Sequence, residues 1–76
     1  MREIECLDIF ANNLRSLMSE QGITQQELAD EAGLAEGSIS SYVNAKKMPG
    51  VRALVNIAYV LNCDIRDLIP IDERIY

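Results

Sequence analysis

The sequence predicts an all-α fold, a compact bundle of five short helices, and three observations carry that expectation. Apolar residues recur at three- and four-residue intervals through successive segments. Residues that stop helices, at Gly22, Gly33, Pro49-Gly50, Asn62 and Pro70, cut the chain into five pieces. No segment sustains period-two alternation, REIEC near the start being the single candidate for a brief strand.

The first helix is expected over about residues 8 to 20, with Asp8 as N-cap and Gly22 as its stop. Phe10, Leu14, Leu17 and Met18 fall on one side, and Asn12, Asn13, Arg15, Ser16 and Ser19 on the other. The second opens with TQQE, in which Thr24 and Glu27 have the spacing of a capping box, each side chain satisfying a backbone N–H of the other. Leu28, Ala29 and Ala32 form its inner face, and Gly33 ends it where a left-handed residue is needed. The third, about residues 35 to 44, places Ala35, Ile39, Tyr42 and Val43 on one side and Glu36, Gly37, Ser40, Ser41 and Asn44 on the other. The fourth, about 51 to 61, buries Leu54, Ile57, Ala58 and Leu61, with Asn62 suited to a left-handed end. In the short fifth, Asp64 caps the start, Asp67 favours its positive end, Ile65, Leu68 and Ile69 supply apolar contacts, and Pro70 closes it.

Seventy-six residues leave room for one domain, 1–76, with a core over about 9–69, a short N-terminal extension and an apolar C-terminal tail. The composition is that of a globular chain, with an aliphatic core because only one Phe and three Tyr are present. Cys6 and Cys63, with no His, cannot form a zinc cluster, so no metal or cofactor is expected. They read as small buried apolar residues in a reducing compartment, a disulfide being the alternative. MREIECLDIF has neither a long apolar region nor a small-residue cleavage site, and no run reaches a membrane span. A cytoplasmic protein without a membrane partner follows. Without a carboxylate pair in a cleft or a glycine-rich phosphate loop, no enzyme and no small-molecule ligand are expected.

The net charge of −5 runs against the basic patch usual in nucleic-acid binders. Its distribution is uneven, however. From Gly33 to Arg52 the cations Lys46, Lys47 and Arg52 face Glu36 alone, a local +2, while the remainder carries four basic and eleven acidic groups.

The second and third helices are separated by about three residues, which suits two crossed helices. A tight crossing needs a small residue at the contact (Ala29), positive φ in the turn (Gly33), and inward anchors on the later helix (Ile39, Tyr42). The pattern Leu28-Ala29-x2-Ala32-Gly33-Leu34-x4-Ile39-x2-Tyr42 fills every slot.

With SISSY, NAKKMP and ALVNIAYVLNCDIRDLI added to ITQQELADEAGL, the chain resembles the phage repressor and Cro family, the Xre-like helix-turn-helix domains, over about Ile9 to Ile69. The resemblance implies a lambda-repressor-like domain and a dimeric transcriptional regulator, here a repressor of phage or mobile-element type. Its third helix would lie in the major groove of a double-stranded DNA operator. It puts Glu36, Gly37 and Ser41 at the base edges, flanked by Ser38, Ser40 and Asn44 as phosphate or water-mediated contacts. Gln25 would bond the DNA backbone or position the reading helix. Lys46 and Lys47 would reach the sugar-phosphate chain, and Arg15 would grip the same strand. The plain alternative for the serines is a solvated helix face, and for the lysines a soluble turn. Thr24 reads as a cap before a contact.

The chain departs from the family pattern in three places. Ala35 stands where a Ser or Thr cap is usual, the reading positions carry short or acidic groups, and Ala45 replaces the glycine that often follows the reading helix. Tyr59, Ile65, Ile69, Ile71, Ile75 and Tyr76 supply the apolar surface for a homodimer, unless the tail folds back over its own core. The reading from another class is a protein-interaction module on the same scaffold, such as an antitoxin or bridging factor, motivated by the acidic surface.

Overall fold

A computed structural model describes residues 3–69 of the chain. It contains α1 (Glu3–Gln21), α2 (Gln25–Ala32), α3 (Glu36–Val43), α4 (Val51–Val60) and α5 (Ile65–Leu68), with no strand among the described residues. The all-α expectation holds, helix for helix.

Two expectations at the N-terminus fail together. Within REIEC, Glu3 to Cys6 are helical and not a strand, because α1 begins at Glu3, and Asp8 lies inside that helix instead of capping it. The reason is the apolar stripe. Leu7 is half-buried one turn before the fully buried Phe10 and Ala11, so the helical repeat starts earlier than Phe10 suggests.

Phe10, Leu14, Leu28, Ile39, Ile57, Leu61 and Leu68 are the largest fully buried side chains, and every helix contributes at least one. Helix α2 packs against α3 and α4, α1 against α3 and α5, and α4 against α5. Three amides tie the layers together. Asn13 donates to Leu68 O (2.9 Å), Gln21 to Leu61 O (2.6 Å) and Asn56 to Ala32 O (3.2 Å). Sequence periodicity had left Asn13 on the solvent side and had given Gln21 and Asn56 no role. Each satisfies a carbonyl at a helix end, where the ladder has run out.

The first four helices end the same way. The residues Gly22, Gly33, Ala45 and Asn62 are left-handed, with φ of 66°, 69°, 56° and 52°. After each, the following N–H reaches back five residues: Ile23 to Met18 O, Leu34 to Ala29 O, Lys46 to Ser41 O and Cys63 to Ala58 O. This is the Schellman arrangement, whose residue after the left-handed position commonly packs against the helix. Ile23, Leu34 and Cys63 do so, lying against the core. At the end of α3 that residue is the exposed Lys46 instead.

Cys6 and Cys63 are free thiols, half-buried and not fully enclosed. Burial, followed by the carboxylates of Asp67 and Asp64, pushes the Cys63 thiol up from its ordinary value. No helix is long and apolar enough to cross a membrane, and no cluster of metal-ligating side chains occurs among the described residues.

Candidate nucleic-acid interface

The turn between α2 and α3 is built from both sides. Thr24 Oγ1 accepts from the Glu27 N–H at 3.1 Å, and Glu27 Oε1 accepts from the Thr24 N–H at 3.0 Å, so Thr24 is a cap. The Thr24 backbone N–H, with the Thr24 side chain second, holds the Glu27 carboxyl below its usual range. Ala29 is buried at the crossing, and Gly33 turns the chain. Asn56 then fastens the last carbonyl of α2, that of Ala32, to α4.

Across that turn, α3 is held by Ile39, Tyr42 and Val43, all buried. The Tyr42 ring meets Phe10 of α1 edge-on, with centroids 6.2 Å apart and planes at 74°. The opposite side of α3 is open. Glu36, Gly37 and Asn44 are exposed, and Ser38, Ser40 and Ser41 are half-buried. A Cβ placed on Gly37 would meet nothing within 4 Å, so the fold does not require glycine there. Ala35 sits at the N-cap without a side-chain hydrogen bond.

The polar groups on this side are partly engaged with their own helix. Ser41 Oγ donates to Gly37 O at 3.1 Å. Asn44 Nδ2 donates to Ser40 O at 2.8 Å, with a longer contact of 3.4 Å to Ser40 Oγ.

The cations lie beyond the helix. Lys46 and Lys47 are exposed in the loop after α3, and the Lys47 Nζ stands 5.9 Å from the centre of the Tyr42 ring. Arg52, exposed in the first turn of α4, borders a shallow groove with Gly33 and Leu34. The sequence reading counted Arg52 in the local positive charge without assigning it a role. Gln25 opens α2, half-buried. Arg15 is used differently from the expectation of an outward grip: its guanidinium donates to Val43 O and to Asn12 Oδ1.

The surface expected to pair subunits divides. Tyr59 is 86% exposed and continues a stripe of Val51 (80%) and Val55 (47%), two residues the sequence reading passed over although their four-residue spacing marks one helical face. Ile65 and Ile69 are half-buried against the core and offer only part of their surface, and Val60 packs inward as well. Ile71, Ile75 and Tyr76 lie outside the described residues.

A short capped helix, a left-handed glycine and a second helix anchored by three apolar residues define a helix-turn-helix domain. A family profile described as Helix-turn-helix (HTH_3) matches residues 14–68. An HTH-type transcriptional regulator of Archaeoglobus fulgidus is 33% identical over 61 residues, which cover 80% of this chain and 87% of that protein. YqaE of Bacillus subtilis, also an HTH-type transcriptional regulator, is 26% identical over 57 residues, covering 75% of this chain. The match spans only about half (49%) of YqaE's own length. Among solved structures, the restriction-modification controller protein C.AhdI from Aeromonas hydrophila superposes with a TM-score of 0.79 at 24% identity, covering 83% of this chain and 96% of that one. The LexA repressor of Eubacterium rectale gives 0.82 at 24%, covering 95% and 76%. At that identity the two structures show the fold. The chain belongs to the Cro/C1-like (Xre) helix-turn-helix family of DNA-binding regulators.

Proposed function

We propose that this chain is a sequence-specific transcriptional regulator that binds double-stranded DNA as a homodimer, with α3 in the major groove. We further assign it as a cytoplasmic repressor of the phage or mobile-element type. The observation that carries the reading is the division of α3 into a buried side, Ile39, Tyr42 and Val43, and an outward polar side on which Glu36, Gly37 and Asn44 are exposed and the serines half-buried. Glu36, Gly37 and Ser41 face the bases, with Ser38, Ser40 and Asn44 beside them. Gln25, at the N-terminal end of α2, faces a phosphate. Lys46 occupies a position that takes an apolar residue at the other three left-handed turns, which supports a contact made outside the fold, and Lys47 accompanies it.

The exposed Val51-Val55-Tyr59 stripe supports a protein contact, read here as the two-fold interface, to which Ile65, Ile69 and the tail residues Ile71, Ile75 and Tyr76 would add. In such a dimer the two reading helices sit about 34 Å apart, one turn of duplex. The same stripe favours a second reading, a protein-interaction module with weak or no DNA binding.

Selection of bound duplexes from a random pool, followed by mobility shifts at low salt, separates them. The regulator reading predicts a two-fold-symmetric consensus and a log K against log salt slope of roughly −4 to −5, for about 4–6 neutralised phosphates. No retarded band at micromolar dimer, with an intact helical spectrum, contradicts it.

A further inference from the structure

We propose that the outward side of α3 is a hydrogen-bond acceptor surface that selects exocyclic amino groups in the major groove, adenine N6 or cytosine N4, through Glu36 and Ser41. The proposal rests on the reading that α3 enters that groove. The commonest specific contact to a base is Arg or Lys donating to guanine O6 and N7. Helix α3, EGSISSYV, contains neither residue. Three of its outward groups, Glu36, Ser41 and Asn44, are instead short of protons to give. An ionised Glu36 accepts only. The Ser41 proton goes to Gly37 O at 3.1 Å, which leaves the hydroxyl lone pairs outward. The Asn44 amide nitrogen is committed to Ser40, which leaves its carbonyl as the available atom.

Gly37 lies on the same face, between Glu36 and Ser41 in the chain, with open space where a Cβ would be. At Gly37 itself, therefore, no side chain stands between the helix backbone and an approaching base edge. An acceptor face repels phosphate, and the cations that would attract the backbone, Lys46 and Lys47, follow the helix instead of lying on it. Attraction to the duplex and choice of base thus fall to different segments.

Atomic replacement in a duplex selected by the full chain tests this. Adenines are replaced singly by purine lacking the 6-amino group, cytosines by pyrimidinone lacking the 4-amino group, and purines separately by their 7-deaza analogues. At one or two base pairs per half-site, amino deletion should weaken binding about tenfold, and 7-deaza replacement less than about twofold. Glu36→Ala and Ser41→Ala should each abolish the amino response at one of those positions, with the helical spectrum unchanged. Sensitivity to 7-deaza analogues with amino deletions tolerated would overturn the acceptor assignment alone. So would amino responses that are the same in both variants as in the parent. A random pool that yields no bound duplex would overturn the major-groove reading, and this assignment with it.

Discussion

The guanidinium of Arg15, in the middle of α1, donates to the backbone carbonyl of Val43, the last residue of α3. The final carbonyls of a helix lack partners in their own ladder, and a cation there also faces the negative end of the helix dipole. Arg15 therefore fixes where the end of α3 sits relative to α1. Arg15→Ala should cost about 1 kcal/mol at this exposed site, lowering the thermal midpoint by about 4–8 °C. It should weaken DNA binding while leaving the salt slope unchanged. A slope shallower by about one per subunit would identify Arg15 as a phosphate contact instead.

Ala45 occupies the left-handed region at φ 56°, where a Cβ crowds the backbone at a cost of about 1–2 kcal/mol. Ala45→Gly relieves that strain, and the greater freedom of the unfolded glycine offsets about 0.4–1 kcal/mol of it. The expected net gain is about 0.5–1 kcal/mol, read as a higher urea midpoint at unchanged m-value. A lower midpoint would show that the turn holds Ala45 without strain.

Gly37 is exposed in the first turn of α3 with nothing near its would-be Cβ. Gly37→Ala should stabilise the fold by about 0.5 kcal/mol through reduced backbone entropy. The same methyl group should weaken binding to a selected duplex. Opposite movements of stability and affinity are the expected result. If affinity held or rose, Gly37 would not be a point of close approach.

The Glu27 carboxyl is held below its ordinary range by the Thr24 backbone N–H. A folded-state pKa below the unfolded one gives a contribution that is present above the unfolded value and lost as pH falls through the folded value. The stability difference between the parent and Glu27→Ala should therefore be full near pH 7 and shrink in acid, through and below the normal carboxylate range. Urea titrations at several pH values measure it, and a difference that grew in acid would reverse the assigned sign.

Most of the architecture was legible because it is written in local signals. Thr24-x-x-Glu27 and Asp64-x-x-Asp67 announce capped starts, and Gly22, Gly33 and Asn62 announce left-handed ends. The inward side of α3 followed from the spacing of Ile39, Tyr42 and Val43. What escaped depends on contacts distant in sequence. Nothing in the neighbourhood of Asn13, Arg15 or Asn56 reveals that each reaches a carbonyl in another helix or at its end. The left-handed turn at Ala45 was hidden because alanine carries no preference for it, and the early start of α1 because Leu7 extends the stripe by a single half-buried residue.

The most direct test of the central claim is the amide spectrum of the ¹⁵N-labelled chain titrated with a duplex selected from the random pool. If α3 lies in the groove, the shifts should concentrate on Gln25, Glu36, Gly37, Ser41, Asn44, Lys46 and Lys47. The Val51-Val55-Tyr59 face should be unmoved by DNA. Shifts confined to that apolar face, with the amides of α3 unchanged, would contradict the account.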